Sequence, residues 1–167
     1  MSKLEIYEEV VTSYLTTLLW SECFHGHGDG GEDPLVIDGE EYASGTPIDQ
    51  IPGCDVSDLA TLAPEIIEEA REDLEEFQNY CLEALGIDPF RYFDAGQVAH
   101  DFCLSRNGHG AGFFDNTYRV NTKVNIPAGD EREIDLSDDL QSAAKTFGTM
   151  GLSVWSDEAG LHMESHG

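Results

Sequence analysis

Residues 64–85 read PEIIEEAREDLEEFQNYCLEAL, and this stretch decides the fold because it predicts the strongest helix in the chain. Its apolar residues recur at intervals of three and four, which is one face of an amphipathic helix. Pro64 suits the first turn of a helix, and Gly86 suits its end. The apolar face consists of Ile66, Ile67, Ala70, Leu74, Phe77, Cys81 and Leu85. The other faces carry acids, relieved only by Arg71: Glu65, Glu68, Glu69, Glu72, Asp73, Glu75 and Glu76.

Two further segments show helical patterning. Residues 3–20 place apolar side chains at helical spacing, ending near Trp20. Residues 137–147 begin with Ser137, which is a favourable N-cap, and place Leu140 and Phe147 on one face. A short helical turn capped by Asp55 or Ser57 precedes the long helix. We therefore predict about three main helices.

Two hairpins complete the predicted fold. DFCLSRNGHGAGFFD, residues 101–115, resembles two short strands around a glycine-rich turn, and GLSVW and LHMES flank a second turn, SDEAG, at 156–160. The sum is a single α+β domain over residues 1–167, with the helices packed on one face of a small antiparallel sheet. Residues 21–53, rich in Gly, Pro and Asp, are predicted to form a long irregular loop, which is typical of a functional or mobile segment.

The net charge narrows the function. The 167 residues contain 34 Asp and Glu against 8 Lys and Arg, a formal net charge of −26. Such a chain repels nucleic acid phosphates and anionic membranes, so we expect neither as a partner and predict cationic partners instead. An apolar content of 40% is too high for a fully disordered acidic chain. The acidic N-terminus MSKLEIYEEVV lacks the features of a signal peptide, which indicates a cytoplasmic protein.

The acidity is concentrated in one part of the chain. Residues 21–90 carry 19 acidic residues and one basic residue, whereas residues 91–120 carry three of each. Duplex DNA carries one negative charge per about 1.7 Å of its axis. The net excess of 18 negative charges in residues 21–90 therefore equals the charge of about 31 Å of duplex. The long predicted helix is about 32 Å in length. The sequence therefore predicts one face with a phosphate-like density of charge.

The predicted loop at residues 21–53 offers the clearest alternative to a role based on charge alone. Its glycine-rich part carries an H-x-H-x-D pattern, and such imidazole and carboxylate groups can bind a divalent metal. The residues concerned are His25, His27, Asp29, Glu32 and Asp33. Further ligands would have to come from the scattered histidines His100, His109, His162 and His166, so we predict a flexible polar loop without a resident metal or cofactor. A metal-binding protein or metal-dependent enzyme that uses His25, His27 and Asp29 is the alternative function.

A second cluster contains His100, Asp101, Cys103 and His109, and a Cys near a His can form a thiol nucleophile. On a strand, Asp101 and Cys103 share one side, and an inward-facing Cys103 is more simply a core residue. The chain carries no P-loop, dinucleotide fingerprint or serine nucleophile elbow. We therefore predict no catalytic residue and a protein that is not an enzyme.

Several segments together resemble a known family. LLWSE, GGEDPL, LAPEIIEEAREDLEEFQ, AHDFCLSRNGHGAGFFD and LSDDLQSAAKTFG are similar to segments of small acidic proteins of tailed bacteriophages, whose core motif reads TRNGHGAGFWD. This chain differs in Ser105 and Phe114, which replace the Thr and the Trp of that motif. The resemblance implies a phage origin and the host cytoplasm as the place of action. By analogy with other very acidic phage proteins, it implies a DNA mimic that inhibits a host DNA-binding enzyme.

The prediction for function follows from charge and resemblance together. The chain presents an acidic surface to the basic DNA-binding groove of a host protein, and DNA gyrase or another DNA-processing enzyme is the favoured target. The sequence leaves open whether the protein is a monomer or a homodimer. It also leaves open an accessory phage protein whose acidic surface is merely solvated. The residues predicted to bind are the seven helix acids named above, extended by Asp29, Glu32, Asp33, Glu40 and Glu41.

Overall fold

The computed structural model describes residues 8–26, 33–108, 112–113, 118–121 and 133–166. Over these residues the chain forms six α-helices and three separate pairs of antiparallel strands. The α+β class is therefore confirmed, whereas the count of three helices is wrong. The described part contains no helix that is long and apolar enough to cross a membrane.

The bounds of the elements are as follows. The helices are α1 (Glu8–Ser21), α2 (Leu59–Leu62), α3 (Pro64–Leu85), α4 (Pro89–Tyr92), α5 (Ala95–Arg106) and α6 (Ser137–Lys145). The strands are β1 (Leu35–Ile37), β2 (Glu40–Tyr42), β3 (Arg119–Asn121), β4 (Glu133–Asp135), β5 (Gly151–Asp157) and β6 (Gly160–His166). The strands pair in sequence order, β1 with β2, β3 with β4 and β5 with β6.

The core is built mainly by helices, and strand residues such as Leu152, Val154 and Met163 of the β5–β6 hairpin belong to the same buried cluster. α1 packs along α5, α5 packs on α6, and α3 contributes its buried face. Phe77 of α3 stacks on Phe102 of α5 with ring centroids 4.4 Å apart, and on Phe113 at 5.9 Å. All three rings are fully buried. The predicted single small sheet is wrong over the described residues, because the strands form three separate pairs.

The long helix has the predicted bounds, and its apolar face is largely buried. Ile66, Ala70, Leu74, Phe77 and Cys81 are buried, as the periodicity predicts. Gly86 ends the helix in the left-handed region, with φ of 73°. The hairpin at the C-terminal end, β5 with β6, is also confirmed.

The predicted hairpin at residues 101–115 is wrong. Residues 101–106 belong to α5, which begins after Asp94, whose carboxylate accepts a hydrogen bond from the backbone N–H of Gln97 at 2.8 Å. All six are buried, including the polar residues Asp101, Ser105 and Arg106. These polar side chains have partners elsewhere in the fold, so α5 can be buried on most of its sides. A helix buried in this way shows no clear apolar stripe in its sequence.

The predicted irregular loop at 21–53 contains regular structure. β1 and β2 form a hairpin around Asp38 and Gly39, both with positive φ, which is the preferred geometry of a two-residue Asp-Gly turn. Further along, Ile48 and Ile51 are fully or almost fully buried. The backbone N–H of Phe24 also donates to the Thr46 oxygen at 2.8 Å. The described part of this segment is therefore folded against the core.

Candidate functional site

Five acids of α3 form a single exposed stripe, which we call the acidic stripe: Glu65, Glu68, Glu69, Glu72 and Glu76. At 100° per residue these positions fall within an arc of about 100°. The buried residues of α3 occupy the opposite side of the same helix. The acidic stripe is thus a consequence of the same periodicity that places Phe77 in the core.

The spacing of the acidic stripe resembles one DNA strand more closely than a duplex. From Glu65 to Glu76 the helix rises about 16 Å, so the five carboxylates stand about one per 4 Å along its axis. One strand of DNA has a phosphate per about 3.4 Å, and a duplex has a charge per about 1.7 Å. The sequence estimate, which compared the charge of the whole 21–90 region with a duplex, therefore overstates the density on this face.

Asp73, predicted as a member of the charged surface, has a different role. Its Oδ2 accepts a hydrogen bond from the Arg106 guanidinium at 2.7 Å, and the Arg106 side chain is only 4% exposed. Arg106 also donates to the Tyr14 hydroxyl at 3.0 Å and to the backbone oxygens of Gly148 and Phe147. Asp73 therefore closes a buried polar network that joins α1, α3, α5 and the end of α6. This structural ion pair leaves Asp73 little capacity for a partner.

The other predicted acids lie in several places. Glu75 is half-buried on the flank of α3, whereas Asp33, Glu40 and Glu41 are exposed beside or within the β1–β2 hairpin. Asp29 and Glu32 lie outside the described residues. The exposed acids Glu83 on α3 and Glu164 on β6 were not predicted as binding residues, although their acidity was visible in the sequence.

The β5–β6 hairpin lies between the two acidic groups. The Ser165 hydroxyl of β6 donates to Glu69 of the acidic stripe. At the other strand, the Ser156 hydroxyl donates to the Val36 oxygen of β1 at 3.2 Å. The hairpin therefore connects the acids of α3 with those of the β1–β2 hairpin. The two groups of acids do not touch each other in the described part of the chain.

The RNGHGAGF string has structural roles wherever the structure describes it. Asn107 accepts a hydrogen bond from the backbone N–H of Met150 at 2.7 Å, which joins the end of α5 to β5. Gly112 has φ of 106°, and a Cβ there would lie 2.3 Å from the Ser105 hydroxyl oxygen. The same hydroxyl accepts from the Phe113 N–H at 3.1 Å. These contacts return the chain to the core, and the role of His109 lies outside the described residues.

Three of the four cysteines are buried and unsuited to act as nucleophiles. Cys54, Cys81 and Cys103 are buried, and Cys23 is half-buried. Burial raises the pKa of Cys81 and Cys103 to about 12, so both remain thiols at neutral pH. The predicted cluster of Cys103 with Asp101 on one side of a strand is also wrong, because both lie on α5.

The alternative metal site is only partly within the described residues. His25 is exposed and lines a cavity of about 460 Å³ with His166 of β6, while His27 and Asp29 fall outside the description. Among the described residues, no group of three or more His, Cys, Asp or Glu side chains could hold a metal ion. Of the five predicted ligands, only His25 and Asp33 lie within the described residues, and they belong to no such group.

Comparisons with protein-family models, curated proteins and solved structures gave no match to this chain.

Proposed function

We propose that this chain is a phage-encoded protein without enzymatic activity that binds the basic DNA-binding groove of a host protein and inhibits it. DNA gyrase, or another DNA-processing enzyme, is the target we favour because a phage must take control of DNA topology and replication. The protein acts in the host cytoplasm, as a monomer or as a homodimer. The acidic stripe of α3 is the observation that carries this proposal.

The acidic stripe supports the proposal through its arrangement rather than its number of charges. Its five carboxylates are exposed and aligned, and the nearest basic residue on α3 is Arg71. Arg71 pairs with Glu8 of α1 and lies 3.6 Å from Glu68, at one edge of the stripe. A row of acids at about the spacing of a DNA strand is complementary to a groove whose cations bind phosphates.

The carboxylates of such a surface act together on a partner through their combined electrostatic field. Exposed charges contribute little individually, but together they steer a cationic partner and raise its association rate by about tenfold or more at low salt. The interaction weakens as salt rises, because the Debye length falls to about 8 Å at physiological ionic strength. Glu40 and Glu41, on the far side of the β5–β6 hairpin, extend the same field.

The experiment compares two variants with equal net charge. In the stripe variant, Glu65, Glu69, Glu72 and Glu76 are each changed to Gln. The control variant changes four exposed acids outside α3, as Asp49→Asn, Asp138→Asn, Asp139→Asn and Glu158→Gln. Each protein is used to capture partners from bacterial lysate at low and moderate salt, with duplex DNA as the competitor, and is then added to a gyrase supercoiling assay.

The proposal expects the natural chain and the control variant to retain a DNA-binding enzyme that duplex DNA displaces. The stripe variant should lose at least tenfold in association rate with that enzyme. If the two variants bind alike, net charge rather than the acidic stripe determines binding. If nothing basic is retained, or DNA does not compete, the acidic surface is only solvated and the proposed function is refuted.

A further inference from the structure

A cavity of about 460 Å³ lies beside β5, and no residue of the acidic stripe belongs to its described lining. That lining consists of four consecutive residues of β5, the last residue of β6 and one residue that precedes β1: Leu152, Ser153, Val154, Trp155, His166 and His25. Because successive residues of a strand point to opposite faces, a cavity that touches four in a row lies against the backbone of the strand. β6 contributes only its terminal residue, so the cavity follows the edge of β5 that does not pair with β6.

The backbone groups at this edge lack a strand partner. Asp157 and Gly160 flank the two-residue turn of the hairpin and therefore exchange hydrogen bonds. The alternation of an antiparallel ladder repeats this pairing at every second residue of β5, back to Gly151. The N–H and C=O groups of Leu152 and Val154 consequently point away from β6, and over the described residues no backbone–backbone hydrogen bond outside the ladder involves them. β5 therefore presents an open strand edge to the cavity.

The cavity has the size of a short extended segment. Neighbouring strands lie about 4.8 Å apart, stacked layers lie about 10 Å apart, and a strand advances about 3.3 Å per residue, so one strand residue occupies about 160 Å³. The cavity therefore accommodates about three residues, which suits the run from Leu152 to Trp155 along which it lies. Just beyond this run, the Ser156 hydroxyl donates to the Val36 oxygen at 3.2 Å, so β1 marks one end of the open edge.

The charge around the open edge favours a cationic segment. The described lining contains no lysine or arginine. The carboxylate of Glu22 lies 3.1 Å from the position that a Cβ on Gly151 would take. On the neighbouring strand, the exposed Glu164 stands opposite Ser153. A second copy of this chain would bring a further net charge of −26 to the same edge, so an extended segment with basic residues is favoured over a second copy.

We propose that the open edge of β5 receives an extended segment of a basic protein partner, which adds to the β5–β6 hairpin as a third strand. In such strand addition the main chain of the segment supplies the affinity, here through hydrogen bonds to the N–H and C=O groups of Leu152 and Val154. The surrounding charge supplies the preference for lysine and arginine in the segment. The inference concerns a surface other than the acidic stripe, and it rests on the proposed function only for the basic character of the partner.

The test uses a synthetic probe and the full chain, so that it does not depend on the identity of the partner. The probe is the peptide acetyl-Lys-Val-Lys-Val-Lys-Val-Lys-amide, and hydrogen exchange of the backbone amides of β5 is followed by NMR with and without it. The edge amides are those of Leu152 and Val154, and the ladder amides are those of Ser153 and Trp155. In the free chain, the edge amides should exchange at least about tenfold faster than the ladder amides. The probe at saturation should slow the edge amides by about tenfold and leave the ladder amides unchanged.

Two modified probes separate strand addition from attraction by charge. The first carries N-methyl groups on its three central amides, which keeps every charge but removes hydrogen-bond donors from both edges of the peptide. The second has Glu in place of every Lys, which keeps the backbone donors and reverses the charge. We expect neither to protect the edge amides.

A pair of variants locates the binding edge. Val154→Pro removes an N–H of the open edge without removing a bond of the β5–β6 ladder, so the probe should no longer protect Leu152. Val154→Thr is the matched control, because it keeps this N–H and the branched shape of the side chain, and the probe should protect it as it protects the natural chain. The methylated probe is used on the natural chain, so it tests strand addition even if Val154→Pro perturbs folding.

The outcomes separate the possible occupants of the edge. Equal protection by the methylated probe, or no protection by the unmodified one, overturns the inference. Edge amides that are already protected in the free chain also overturn it. Protection that grows with protein concentration assigns the edge to a second copy, and protection at every concentration assigns it to another segment of this chain.

The same measurements keep this inference apart from the proposed function. If the probe protects the edge amides but no partner captured from lysate is displaced by DNA, strand addition at β5 stands and the proposed function fails. If the probe leaves the edge amides unprotected, strand addition fails, and the acidic stripe is still judged by the stripe variant and DNA competition.

Discussion

Glu72 and Asp73 are neighbours in the sequence, and the structure predicts opposite results when each is neutralised. Glu72 is exposed within the acidic stripe, whereas Asp73 pairs with the buried guanidinium of Arg106 at 2.7 Å. Glu72→Gln removes a charge that repels Glu68, Glu69 and Glu76, so we expect a free energy of unfolding that is unchanged or slightly higher. Asp73→Asn leaves the buried guanidinium of Arg106 without its counter-charge, so we expect a marked decrease in the free energy of unfolding.

The magnitude of the loss follows from the remaining partners of Arg106. Removing one partner of a buried ion pair typically costs about 3–5 kcal/mol. Arg106 keeps hydrogen bonds to the Tyr14 hydroxyl at 3.0 Å and to two backbone oxygens, and the Asp73 side chain is 21% exposed. These contacts place the expected loss near the lower end, at about 3 kcal/mol. For a chain of this length that corresponds to a fall in Tm of about 6–12 °C.

The assay is urea unfolding of the two single variants, followed by far-ultraviolet circular dichroism and by tryptophan fluorescence. Coincidence of the two signals checks that unfolding is two-state, which the comparison of free energies requires. Arg106→Lys serves as a second probe, since an ammonium cannot reproduce the fork that reaches Tyr14, Asp73 and the two backbone oxygens. If Asp73→Asn and Glu72→Gln differ by less than about 0.5 kcal/mol, the assignment of Asp73 to a structural network is refuted.

Three further predictions concern the folded chain. Gly112→Ala should destabilise more than Gly108→Ala, since both have positive φ but only at Gly112 would the new Cβ lie 2.3 Å from the Ser105 hydroxyl oxygen; equal losses in thermal unfolding would contradict this. At pH 8, a thiol reagent should react rapidly with Cys23 alone in the native protein, because burial raises the pKa of the other three thiols to about 12. All four thiols should react in denaturant, and rapid reaction of more than one thiol in the native protein would contradict the prediction. The stripe variant of four Glu→Gln changes should be about 1–2 kcal/mol more stable than the natural chain at low salt, a gain that should vanish at 1 M salt.

The parts of the fold that the sequence predicts are those with strong local signals. α3 is predicted with bounds close to the observed ones because its apolar stripe, its early proline and Gly86 all agree. α5 is missed because its buried polar residues are satisfied by distant partners, as Arg106 is by Tyr14 of α1. Period and propensity describe only the segment itself, so a helix that is buried on most sides by such pairing cannot be distinguished from a strand and a turn. The β1–β2 hairpin is different, since its Asp38-Gly39 turn is a local signal that can be read from the sequence.

The same distinction applies to the candidate site. The periodicity of α3 alone places five acids on one exposed face, because it also places Phe77 on the opposite face. Periodicity cannot separate Asp73 from Glu72, because Arg106, which forms the ion pair with Asp73, lies 33 residues further along the chain. The contact between the rings of Trp20 in α1 and His100 in α5 was beyond prediction for the same reason, since they meet only after the two helices pack.

The stability of the fold explains how the acidic stripe can persist. Its members form five like-charged pairs at spacings of three or four residues, each costing about 0.2–0.5 kcal/mol, or about 1–2.5 kcal/mol together. Burying one phenylalanine such as Phe77 contributes about 1.5–3 kcal/mol, which offsets the whole repulsion. Repulsion alone is therefore too small to distinguish a functional surface from a solvated one. Alignment does not distinguish them either, because the periodicity that buries Phe77 places any exposed acids of α3 in a row. The deciding comparison is therefore between the stripe variant and the control variant, which have the same net charge and differ only in whether the row is kept.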